Sequence, residues 1–277
     1  MSVPLEGPCR IYLYDEPRCR ALTADAVAEF LRGCGGRRAE VVVRGDFWAR
    51  FPREREVELA QGWARARVTA PDRPVTVRQP LPGEVEYELR RLRDVGLRAW
   101  GILYDGLAVM RLAASQIPPD ERTWDNLHVI FTNQLLGTWD ANGGRWHART
   151  AIFGFPCLVS TTGLAVAPAR SPAWHLLKQV LGTDPAQCGF PADGSYLEVD
   201  DLRLGEVAKG MALQCLFYHL TGDPFCRDPG CRLYNAHRQS ELIYAQLRPG
   251  AGLCAHHQRM LGMWSAGAEG PRYGCRH

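Results

Sequence analysis

The chain has 277 residues, enough to bury a sizeable core as one domain or two closely packed ones. Hydrophobic residues make up 46% and charged residues 23%, an ordinary globular balance that excludes the disordered classes, and the net charge of +3 singles out no class of partner. There is no basic-then-apolar leader and no run of about 18 apolar residues, which predicts a soluble, cytoplasmic protein with no membrane partner. In that compartment the ten cysteines read as thiols or metal ligands rather than disulfides.

In chain order, residues 9–15 alternate with aromatic and β-branched side chains and predict a strand. A helix follows over 22–31, then a second buried strand over 39–43. A β-α-β start of this kind implies a parallel pair. Residues 50–97 differ in character. Arginines alternate with Glu54, Glu56, Glu58, Glu84, Glu86 and Glu88, and Pro71, Pro74, Pro80 and Pro82 break the middle. That pattern predicts two charged amphipathic helices, about 53–65 and 84–93, in a Pro-rich insertion. An arginine-rich stretch with Trp48 and Trp63 has the composition of a nucleic-acid contact, but its interleaved acids make a salt-bridged solvent face the stronger reading.

A strand over 97–104 ends at Asp105, as the first strand ends at Asp15. Ligands gather beyond the carboxyl ends of strands in open α/β sheets, so both are candidate cleft residues. The competing reading is a turn or helix cap. A short helix over 107–115, a strand over 127–132 and a polar, glycine-bearing stretch over 133–144 follow. Strands at 146–153 and 158–161, a helix at 171–180 and a loop region over 188–201 lead to a helix over 205–221. A last helix is predicted over 240–247.

The most informative stretch begins there. Cys226 and Cys231 lie as C-x4-C, and after 22 residues Cys254 and His257 lie as C-x2-H. Paired ligands brought together by an intervening element are the signature of a closed tetrahedral zinc site, and three thiolates with one imidazole suit zinc. The Pro-Gly of RDPG supplies a tight turn between the first two thiols. His256 is an alternative fourth ligand. Upstream, Cys215 and His219 stand four apart on one helix face, the spacing with which two side chains grip one metal. A third ligand would have to come from elsewhere; Asp223 and His237 are candidates, as are Asp15, Asp105 and His147. Glu206 is too far along the axis to serve as a base.

The helix running into a Cys-x4-Cys pair resembles the archaemetzincin branch of zinc metallopeptidases, and the whole chain, from IYLYDEP through FTNQLLGTWD to DPGCRLYNAH, resembles an archaemetzincin-like metallopeptidase family. In archaemetzincins HExxHxxGxxH precedes four cysteines that hold a structural zinc. Here His257 stands where the fourth cysteine would. Counting back from Cys226, the three catalytic histidines fall on Cys215, His219 and Phe225, the glutamate on Leu216, the glycine on Gly222 and the Met-turn methionine on Leu233. Only His219 and Gly222 agree. Without the glutamate, the zinc-bound water has no general base, a loss of about 10²–10⁴-fold.

The resemblance implies a single metzincin-like α/β domain over 1–277. It would have a mixed twisted sheet with packed helices and a zinc-stapled C-terminal unit over about 222–262. It also implies that an edge strand near residues 133–154 binds an extended substrate, with His147 bordering the cleft; taken alone, His147 reads as a partly exposed strand histidine. The functional expectation is one structural zinc, with a second, catalytic metal doubtful, in a non-catalytic descendant that binds a peptide or protein segment. The alternatives are a zinc-dependent hydrolase with a rearranged site around His219, and a zinc-stapled nucleic-acid-binding protein.

Overall fold

The computed structural model describes residues 7–8, 10–35, 38–94, 101–170, 172–182 and 196–266. Strands β1 (Arg10–Tyr14), β2 (Glu40–Arg44), β4 (Asn126–Thr132), β7 (Ala151–Ile152) and β8 (Cys157–Ser160) form one sheet in the order β2-β1-β4-β8-β7. The first four run parallel, and β7 pairs antiparallel with β8. Helix α1 (Ala24–Gly35) makes the predicted crossover between β1 and β2.

The expectation of one mixed sheet is corrected by a second, smaller one. It contains β3 (Leu103–Asp105), β5 (Leu135–Asp140) and β6 (Arg145–Arg149) in the order β3-β5-β6. The polar stretch over 133–144 thus holds strand β5 and the turn of a hairpin. The predicted strand over 97–104 is represented by β3, and residues 97–100 lie outside the described residues, as does most of the predicted 188–201 loop.

Period-two alternation sorts the β1 side chains onto two cores. Ile11 and Leu13 face one side with Val129, Phe131 and Val159. There α1 and the long helix α7 (Leu204–Thr221) cover the sheet with Val27, Leu31, Val207 and Leu216. Tyr12 and Tyr14 face the other side with Ile130 and Leu158. The described part of the charged stretch, residues 50–94, covers that second face. Its helices α2 (Arg53–Ala66) and α3 (Pro82–Arg93) turn Leu59, Ala60, Trp63 and Leu92 inward beside α4 (Gly106–Gln116).

Trp48 and Trp63 meet edge to face with centroids 4.9 Å apart and are both buried, so neither presents a face for stacking on a base. Under them Glu88 is fully buried but satisfied, accepting from Arg91 at 2.6 Å and from the Tyr104 hydroxyl at 2.8 Å.

After α5 (Thr161–Val166) and α6 (Pro172–Leu181), α7 ends at Gly222, whose φ of 77° is the left-handed conformation of a glycine C-cap. Two further helices close the described chain, α8 (Gln239–Leu247) and α9 (Ala255–Ala266). Helix α9 is mostly exposed. Only Trp264 anchors it fully, and a Cβ on Gly35 of α1 would lie 2.8 Å from that indole. Among the described residues no helix is long and apolar enough to cross a membrane.

Candidate metal centre and adjoining cleft

The segment after α7 is short of regular structure, and its backbone is held by its own hydrogen bonds. Cys226 N donates to Leu233 O at 2.8 Å, and Arg232 N donates to Gly252 O at 2.9 Å. The predicted turn forms: Cys231 N donates to Asp228 O at 3.0 Å, and Gly230 N donates to the Asp228 carboxylate at 2.9 Å. Arg232, next to the second thiol, is buried. Its guanidinium reaches Glu206 on α7, and its carbonyl accepts from Gln246 of α8 at 2.7 Å. Glu206 also pairs with Lys209 at 2.7 Å, so it is an anchor for this loop rather than a free base.

These constraints bring Cys226, Cys231, Cys254 and His257 together, with all four ligand atoms within 4.8 Å of one another. The Cys226 and Cys254 sulfurs are 4.0 Å apart, and His257 Nδ1 lies 3.9 Å from the Cys231 sulfur and 3.1 Å from that of Cys254. A tetrahedral zinc with its usual bond lengths needs sulfur–sulfur edges of about 3.8 Å and sulfur–nitrogen edges of about 3.6 Å. The donor set, its spacing and its closure at four ligands are compatible with zinc. His256 is exposed and outside the cluster; its ring stands across that of His257. The local electrostatics favour thiolate formation at one corner first. Burial works against ionisation of Cys254, but backbone N–H groups of His257 and His256, at the start of α9, hold its thiol below the usual range. Burial pushes Cys231 up to about 12. The sulfurs also accept backbone N–H bonds, from Asp228 to Cys226 and from Cys254 to Cys231, the outer support common around bound thiolates.

The other ligand-spaced pair does not converge. Cys215 is fully buried, and its thiol lies against that of Cys157 on β8. His219 Nε2 bonds the Trp124 carbonyl at 2.8 Å, its ring stacks on the Trp124 indole, and burial lowers its pKa. Among the described residues Cys226, Cys231, Cys254 and His257 are the only group of three or more Cys, His, Asp or Glu placed to share a metal ion. Asp15 and Asp105 have taken the capping alternative. Asp15 accepts from Ala24 N at the start of α1 at 3.2 Å, and burial raises its pKa. Asp105 accepts from Leu107 N at 2.9 Å and Ala108 N at 3.3 Å at the start of α4.

His147 does border a cleft. A cavity of about 320 Å³ lies between residues 147–151 along the β6–β7 edge, Met211 and Gln214 of α7, and the loop from Phe225 to His237. Met211 lies four residues before Cys215, on its face of α7, while Gln214 lies one residue to the side, and neither Cys215 nor His219 lines the cleft. Sequence reasoning missed Met211 and Gln214 because α7 is apolar around nearly its whole circumference and shows no preferred face.

The family model described as "Probable metallopeptidase family" matches residues 8–264. The chain belongs to that family. Its match runs from just before β1 to Trp264 on α9, so both sheets and the Cys/His cluster lie inside the metallopeptidase-family region. No curated protein matches the chain, and no solved structure does.

Proposed function

We propose that this chain is a zinc-binding, archaemetzincin-like member of the metallopeptidase family that has lost the standard peptidase chemistry and binds an extended peptide or protein segment. Cys226, Cys231, Cys254 and His257 hold one zinc that is structural, because four protein ligands leave no open position for a reacting water. The observation that carries the reading is the cleft wall itself. Helix α7 offers it Met211 and Gln214, neither of which can activate water, while the Gln214 amide is turned to the carbonyls of Arg232 and Tyr234. What is left is a groove beside the edge strand β6, the setting in which an extended segment docks main chain to main chain.

Elemental analysis of the wild type and of His219→Ala tests this, together with a metal-dependent peptide-cleavage assay. One zinc per chain in both proteins and no cleavage is the expected result. Two metals in the wild type falling to one in His219→Ala, with cleavage lost alongside, would replace this reading by a hydrolase with a rearranged site.

A further inference from the structure

We infer that the cleft beside β6 selects extended segments carrying acidic side chains, an inference that rests on the peptide-binding reading above. The observation is the guanidinium in the wall and the lack of a carboxylate beside it. His147, Arg149 and His237 line the cleft, and among the described residues none of its lining side chains is a carboxylate. The nearest acids are engaged at the histidines of the wall and not at Arg149. Asp140 lies 3.4 Å from His147 Nε2 and accepts from the backbone of Asn142, and Glu241 accepts from the backbone N–H groups of His237 and Arg238.

Arg149 is the group left for a ligand. It is exposed, its Nε donates to the Thr138 hydroxyl at 2.8 Å, and it has no carboxylate partner among the described residues. A guanidinium with donors to spare is matched to a carboxylate, bidentately where the geometry allows. His147 and Arg149 stand two apart on β6 and so share one face, with side chains about 7 Å apart along the strand. A segment lying alongside would turn every second side chain to this face, and because His147 is already paired with Asp140, the position opposite Arg149 is the one that favours a carboxylate. The carbonyl of Arg149 is turned against Gly163 of α5, where a Cβ would collide with it, so the free edge runs from Arg145 to Ala148. Deeper in, Met211 and Leu242, with the half-buried Phe153, give an apolar floor for the intervening side chains, and the exposed Phe225 also lines the cleft.

The test uses the full zinc-loaded chain and three fluorescein-labelled peptides that alternate valine with glutamate, glutamine or lysine, read by fluorescence anisotropy. The glutamate peptide should bind at least tenfold more tightly than the glutamine one. Arg149→Gln should abolish that preference, while Arg55→Gln, on the distant surface of α2, should leave it unchanged. Equal binding of the glutamate and glutamine peptides, both lost when Met211 is replaced by Arg, would overturn the acidic preference and leave the peptide-binding reading standing. No binding by any of the three would overturn both. Equal weakening by Arg55→Gln, or tighter binding of a single-stranded RNA that displaces the glutamate peptide, would reduce the effect to general attraction for polyanions and overturn the inference.

Discussion

Two pairs of ligand-type residues flank the C-cap of α7, and they have met opposite fates. Cys215 and His219 precede it on a regular helix, four apart, in the spacing that metal-gripping helices use. Cys226 and Cys231 follow it on an irregular loop. The helical pair diverges into separate environments, one thiol against Cys157 and one imidazole against Trp124. The loop pair converges with Cys254 and His257. Spacing makes coordination possible, but what completes the shell decides it: the loop is met by a second element carrying two more ligands, and the helix is met by apolar strands and an indole.

The most severe way to break this contrast is Cys226→Ser or Cys231→Ser. If the loop cluster holds a structural metal, binding contributes about 10–16 kcal/mol at neutral pH. Either variant should lose its zinc and its cooperative melt, by elemental analysis and calorimetry, as should the wild type under a strong chelator. A normally folded Cys226→Ser with one tightly held zinc would dissolve the contrast.

The next test asks whether a histidine held for packing behaves unlike one held for metal. His128 on β4 is fully buried, bonded to the Tyr14 hydroxyl at 3.0 Å and stacked on Tyr12, and burial lowers its pKa from 6.5 to about 4. The folded state therefore resists a proton that the unfolded state accepts. Its contribution is complete above about pH 6.5 and is lost as the pH falls to about 4, a change on the order of 3 kcal/mol. In denaturant melts at several pH values, His128→Gln should show a flatter acid limb than the wild type at equal zinc content.

On the helical side, His219→Ala should cost about 1–2 kcal/mol from the lost bond to the Trp124 carbonyl and the lost ring contact, with metal content unchanged. The smallest effect belongs to Asp105→Ala, about 1 kcal/mol for a helix cap. A larger loss of peptide binding than of stability there would return Asp105 to the cleft.

The legible parts of the molecule were those whose signal is local. The alternation of β1, the α1 crossover, the charged helices α2 and α3 and the paired ligand spacings all lie within a few residues of sequence. Strand β5 lies in a stretch whose composition reads only as polar and glycine-bearing, because Asn133, Gln134, Thr138 and the glycines mask its apolar residues, although Asn142-Gly143-Gly144 is the turn signal of its hairpin with β6. Helix α9 was missed because its one fully buried residue is Trp264, too few for a periodic stripe. The cleft-facing side of α7 was hidden for the opposite reason: a helix buried nearly all round has no stripe to read. Trp48 and Trp63 sat in a charged stretch whose aromatic residues face inward, which only the second face of the sheet explains.

The indole of Trp264 joins two parts of the chain that are far apart in sequence. A Cβ on Gly7 or Gly35 would strike it, and it stands two turns along α9 from His257. An ion held by His257 therefore fixes not only its own loop but the lid over the open side of α1, near the chain's beginning. Amides of α1 close to Gly35 should then exchange with solvent on the timescale of metal release, although none of them is near the metal, and the C-terminal helix should be the first element trimmed by a protease once the ion is gone.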